Sequence, residues 1–207
     1  ISISSGAGQA GGLLQELHAL PMRRAEESGE HGASRVGIER ALALGDRRVD
    51  HDEVPREHGA GFGGEVYDKL EFVNPMGSVK HRIARYMVER ALADGRLRSG
   101  GTVIEASSGN TAMGLAMMAI EHDLRCVMVV RRQTSREKLA ALAALGVELV
   151  LVDGNLPPEH PESYNRKARR LAAEIPGAFF PDQHNDRANN EAHYATTGPE
   201  LWAQTSG

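Results

Sequence analysis

Apolar positions are patchy up to about residue 64 and regular beyond it. In the first stretch, Leu13 to Leu20 and Val36 to Leu44 each carry enough apolar residues for a short helix. Glu26 to Gly32 and Arg47 to Gly64 read as loop or poorly ordered chain. Residues 1–64 are therefore expected to form an N-terminal extension of uncertain order, and residues 65–207 an α/β region. There Glu65 to Glu71 predicts a strand, and Asn74-Pro75-Met76-Gly77 a turn. Ser78 is placed to cap a helix on which Val79, Ile83, Met87 and Ala91 recur every fourth residue as one apolar face, and Gly95 ends it.

Thr102 to Glu105 is a short β-rich run, and Ser107-Ser108-Gly109-Asn110 turns into an apolar helix from Thr111 to Ile120. Leu124 to Val130 reads as a buried strand. Thr134-Ser135-Arg136-Glu137 is a capping box for a helix running to Leu145, with Gly146 just beyond. Val147 to Val152 is a further buried strand, Ser163 to Glu174 a helix, Ala178 to Pro181 a short strand, and Ala188 to Gln204 mostly helix. The strands are continuous apolar runs alternating with helices. This predicts an open, mostly parallel sheet with helices on both faces. In such sheets ligands sit at the carboxyl ends of the strands. The turns at 74–78 and 107–111, richest in Gly, Ser and Asn, are where chemistry is to be sought.

Composition narrows the classes. Lys plus Arg is 24 against 28 Asp plus Glu, a net charge of −4, which argues against nucleic-acid binding. No apolar run approaches the roughly 18 residues a membrane span requires. The single cysteine, Cys126, has no internal disulfide partner and sits in an apolar run, so it reads as a small buried hydrophobe in a cytoplasmic protein. The histidines show no spacing that pairs them as metal ligands, so no metal is expected. Met113, Met117 and Met118 read as core packing, Arg131 and Arg132 as a solvated turn, and Arg166 to Arg170 as one exposed helix face.

Lys80 falls in the first turn of its helix. The positive helix end disfavours an ammonium there, which suits an amine that condenses with a carbonyl. On position alone, a plain surface lysine on an amphipathic helix is the favoured reading. In the second turn, backbone N–H groups, the hydroxyls of Ser107, Ser108 and Thr111, and the Asn110 amide form an anion site for a carboxylate or phosphate. The alternative is that Ser108 or Asn110 simply caps the helix. Near the start, Gly6-Ala7-Gly8-Gln9-Ala10-Gly11 formally matches G-x-G-x-x-G, but no second strand follows it. It reads as a glycine-rich start, with a displaced phosphate loop as the alternative.

Taken together, these turns resemble the cysteine synthase and cystathionine β-synthase family, fold type II enzymes that use pyridoxal 5′-phosphate. The resemblance rests on Lys69-Leu70-Glu71, on Asn74 through Lys80 with Arg82, and on Glu105 through Thr111. It continues through Pro181-Asp182-Gln183, Asn189, and His193 through Trp202, covering about residues 65–207. It implies that Lys80 binds the cofactor aldehyde covalently and later moves the α-proton. It also implies that Asn110 meets the cofactor's ring hydroxyl, and that Ser107, Ser108, Gly109, Thr111 and Gln183 hold the substrate carboxylate. The implied reaction is β-replacement on an activated serine-type amino acid, by elimination and then addition of a nucleophile, in a homodimer.

The match departs in places. His81 stands where the family usually has Asp, and is expected to face solvent. The family's Gly-Asn-Thr-Pro segment is not recognisable in residues 1–64. The family's phosphate-gripping Gly/Thr-rich loop, and the Ser or Thr facing the pyridine nitrogen, belong to the C-terminal part of the fold, expected beyond Gly207. Three explanations stay open: a fragment of a longer protein, a site completed by another chain, or a non-catalytic half-protein that binds an amino acid or a protein partner.

Overall fold

Residues 69–205 are described by a computed structural model of the chain. The expected 1–64 extension, its helices, the Gly6–Gly11 loop, and residues 65–68 of the first expected strand lie outside them. The described elements are α1 (Lys80–Ala93), β1 (Thr102–Ala106), α2 (Asn110–Glu121), β2 (Arg125–Arg131) and α3 (Arg136–Ala144). After them come β3 (Glu148–Val152), α4 (Tyr164–Glu174), β4 (Ala178–Phe179), α5 (Ala188–Ala192), a π turn (His193–Thr197) and α6 (Gly198–Gln204). The four strands form one sheet in the order β3-β2-β1-β4. Every pairing is parallel: Ile104 lies beside Val127, Val129 beside Val150, and Val103 beside Phe179.

Successive strand residues point to opposite faces. Val103, Cys126, Met128 and Val130 join Ala84 and Val88 of α1, Leu115 and Met118 of α2, and Leu142 of α3 in one core. Ile104, Ala106, Val127 and Val129 join Ala168 of α4 in the other, with Tyr164 and Leu171 packed against it. Helices thus cover both faces, as the continuous apolar strands predict. β1 is buried along its whole length. β3 is not: from Glu148 to Leu151 it is exposed or half-buried, because it forms the edge of the sheet.

Of the first expected strand only Lys69–Glu71 is described, and it holds no strand: Glu71 opens a 3-10 turn, Glu71–Val73, where the Asn74 amide donates to the Glu71 carbonyl at 2.9 Å. The expected capping box departs as well. Ser135, not Thr134, occupies the cap position of α3, because the Thr134 N–H is taken by a turn to the Arg131 carbonyl. Cys126 is buried, and Gly95 and Gly146, each at φ 78°, close α1 and α3 as read. No helix among the described residues is long and apolar enough to cross a membrane. From β1 the chain moves to β2 on one side, while β4 lies on the other. The carboxyl ends of β1 and β4 therefore flank the point where the strand order reverses, the place such sheets use for ligands.

Candidate active site

The lysine turn is built by capping and by charge. Ser78 is buried, and its Oγ accepts the Lys80 N–H at 3.2 Å, so Ser78 supports the helix start as predicted although the regular helix begins at Lys80. The Asn74 amide also donates to the Ser78 carbonyl at 3.2 Å. Behind the turn, Arg82 grips the Glu200 carboxylate with both terminal nitrogens at 2.7 Å and Glu71 with Nε at 2.8 Å. Lys69 adds a bond to Glu200 at 2.8 Å. The hydrogen bond from Arg82 is the main reason the Glu200 carboxyl is held down at about 2. Lys80 itself is half-buried.

His81 corrects the sequence reading. Its side chain is 6% exposed rather than facing solvent, and its Nδ1 has no hydrogen-bond partner. Burial lowers its pKa, and the nearby Arg85 and Arg82 charges lower it further. The cause lies on α2. A Cβ placed on Gly114 would sit 2.9 Å from the Ala84 Cβ, 3.1 Å from the Lys80 carbonyl oxygen and 3.4 Å from the His81 Cα. Lacking a side chain there, α2 packs directly on the first turns of α1 and covers His81.

The second turn leaves the end of β1. The Ser107 Oγ accepts N–H groups from Ala112 at 3.2 Å and Gly109 at 3.4 Å, so Ser107, rather than Ser108 or Asn110, braces the helix start. Ser108 and Gly109 are half-buried and Asn110 is exposed. Buried Thr111 donates its hydroxyl to the Gln183 Oε1 at 2.6 Å. Sequence reasoning gave no role to two neighbours. Glu105, 2% exposed, accepts the Gln183 N–H at 3.1 Å, and burial is the main reason its carboxyl is pushed up to about 7. A lone acid closing an apolar strand was the available signal. Tyr164 lies beside Ser108, and the Arg131 guanidinium, exposed as the solvated reading expects, also stacks 4.9 Å from its ring centre. Nothing in the local pattern marked Tyr164.

The structure brings Thr111 and Gln183 into direct contact, and sets Lys80 and Asn110 on the N-terminal turns of two helices that touch at Gly114. The Lys80 amine makes no hydrogen bond to the Ser107–Thr111 turn; backbone packing joins the two pieces. This donor set is chemically suited to pyridoxal phosphate and an amino acid: one primary amine for an aldehyde, one side-chain amide for a phenolic oxygen, hydroxyls and N–H groups for an acid.

The model of the family described as pyridoxal-phosphate dependent enzyme matches residues 53–207. The chain belongs to this family. It is 43% identical to cysteine synthase 1 of Neurospora crassa over 145 residues, covering 70% of this chain and 38% of that relative. It is 43% identical to cystathionine beta-synthase of Saccharomyces cerevisiae over 145 residues, covering 70% of this chain and 29% of that one. The solved O-acetylserine dependent cystathionine beta-synthase of Helicobacter pylori superposes with a TM-score of 0.61 at 35% identity, covering 67% of this chain and 44% of that chain. A hydrogen sulfide-producing enzyme from Fusobacterium nucleatum superposes with a TM-score of 0.65 at 31% identity, covering 80% of this chain and 52% of that chain. The chain thus spans less than half the length of these two curated relatives.

Proposed function

We propose that the protein carries out pyridoxal phosphate-dependent β-replacement on an activated serine-type amino acid, giving cysteine or a related β-substituted alanine. The observation that carries this reading is the packing of the lysine turn against the hydroxyl-rich turn at Gly114, with Thr111 already bonded to Gln183 at 2.6 Å. Bound pyridoxal phosphate supplies an electron sink for the carbon skeleton of the substrate. In this reading Lys80 would hold the cofactor through its amine, and the same amine would carry the α-proton. Asn110 orients the cofactor ring through its side-chain amide. Ser107, Ser108, Gly109, Thr111 and Gln183 receive the substrate carboxylate on hydroxyl and N–H donors, fixing which bond faces Lys80.

The donors of this turn need no cationic side chain, because N–H groups and hydroxyls at a helix start stabilise an anion by themselves. The reading carries with it a homodimer in the cytoplasm, which light scattering on the purified protein checks for assembly. The test of function is a visible spectrum of the cofactor-loaded protein titrated with O-acetyl-L-serine. The absorbance is expected to shift on addition and to recover when sulfide is supplied and cysteine accumulates. A protein that takes up no cofactor, or whose spectrum ignores the amino acid, contradicts the proposal.

A further inference from the structure

Glu105 is the one acidic side chain among the described residues that is fully buried, and it has no basic partner. A buried carboxylate without compensation is costly, so its bonds matter. They all go to backbone. Oε1 accepts the Ala106 N–H at 2.7 Å, Oε2 accepts the Gln183 N–H at 3.1 Å, and the Asp182 N–H contributes as well. Asp182 sits at φ 49°, in the left-handed region that costs a non-glycine residue energy. Outside, it is tied to Arg169 at 2.7 Å and to the Asn185 amide at 2.7 Å. Gln183 is held at three points: its N–H by Glu105, its carbonyl by the Asn189 amide at 2.7 Å, and its side-chain oxygen by Thr111 at 2.6 Å. Its amide nitrogen is the group left to donate.

We propose that Glu105 is a positioning residue, clamping the Asp182–Gln183 turn to the end of β1 so that Gln183 and Thr111 together meet the acid group of an amino-acid ligand. The identity of that ligand rests on the β-replacement reading; the clamp itself rests on the contacts. It works in the ionised form, above the raised pKa of about 7, because the carboxylate then offers acceptors on both oxygens to N–H groups that converge from two strands' ends. Glu105→Gln keeps the size but not this property. Whichever way the amide is turned, its NH2 faces either the Ala106 or the Gln183 N–H, and one arm of the clamp breaks.

The experiment compares the wild-type protein with E105Q at pH 8.5, where the Glu105 carboxyl is ionised. Amide hydrogen exchange is followed first. Residues 182–183 in E105Q are expected to exchange about tenfold faster, while the β2 amides of Val127–Val130 keep their protection and show that the sheet is intact. The cofactor-loaded proteins are then titrated with L-serine by absorbance. The Kd for L-serine is expected to rise about tenfold in E105Q with the spectrum before addition unchanged. Asn189→Ala, which frees only the Gln183 carbonyl, is expected to raise the Kd by a smaller factor. An E105Q protein with wild-type exchange at 182–183, or with wild-type affinity for L-serine, overturns the clamp. A wild-type protein that ignores L-serine contradicts the β-replacement reading instead, and exchange at 182–183 still decides the clamp.

Discussion

The two halves of the candidate site are held in place by opposite means. The lysine turn is anchored by charge: Arg82 joins Glu71 and Glu200, and Lys69 joins Glu200, in a network that is still partly open to water, with Glu200 41% exposed. The carboxylate turn is anchored by neutral and buried groups. Ser107, Thr111 and Gln183 bond one another's neighbourhoods, and Glu105 bonds backbone without any cation beside it. Partly exposed ion pairs tolerate loss and are screened by salt. Buried polar networks tolerate little, because a broken member leaves its partner unsatisfied and dry. The half that bears Lys80 is thus adjustable, and the half proposed to receive the substrate's acid group is rigid.

The largest expected effect removes the amine itself. Lys80→Ala is expected to lower β-replacement activity by at least ~10³-fold while leaving the urea midpoint nearly unchanged, since the side chain is half-buried and unbonded. Parallel assays and denaturation curves check both. Next is the contact that joins the halves. Gly114→Val puts carbon atoms within 3.1 Å of the Lys80 carbonyl oxygen and the Ala84 Cβ, and should destabilise the protein by about 2–3 kcal/mol, read from urea unfolding. It should also impair cofactor binding, because α1 shifts away from α2.

A smaller effect separates the two kinds of anchor. Arg82→Ala should cost about 1–2 kcal/mol at low salt and distinctly less relative to wild type in 1 M salt, while E105Q shows no such salt dependence. Acidity separates them as well. Glu200 is held at about 2, below its ordinary range, so its stabilisation is complete above pH about 4.5 and is lost as pH falls toward 2. Glu105 is raised to about 7, so the folded state binds its proton more tightly than the unfolded chain. Stability from that site is present at low pH and is lost as pH rises from about 4.5 through 7. His81 opposes it: its lowered pKa means that acid below about 6.5 protonates the unfolded chain first and erodes stability. His81→Leu should therefore flatten the acid limb of the stability curve, the smallest of these effects, measured as unfolding midpoints between pH 5 and 8.

The sheet was legible because β1 and the middle of β2 are mostly apolar, with β1 buried along its length and Cys126–Val130 of β2 buried. β3 carries a similar run, Val147 to Val152, yet forms an edge, since run length says nothing about strand order. The two turns were legible as helix starts from their Gly, Ser and Asn content, whereas the chemistry assigned to them came from the resemblance of several linked motifs, because Ser, Thr and Asn there more often cap a helix. His81 was not legible, since its burial is decided by a glycine 33 positions away on another helix. Glu105 and Gln183 meet across 78 residues, so no local pattern shows that one holds the other.

Borohydride trapping shows directly which nitrogen meets the aldehyde. The protein loaded with pyridoxal 5′-phosphate is reduced with borohydride, digested, and the modified peptide located by mass spectrometry. A single reduced adduct is expected on Lys80 and none in Lys80→Ala. An adduct on Lys69 or another lysine, or no adduct while cofactor is bound, would contradict the role proposed for Lys80.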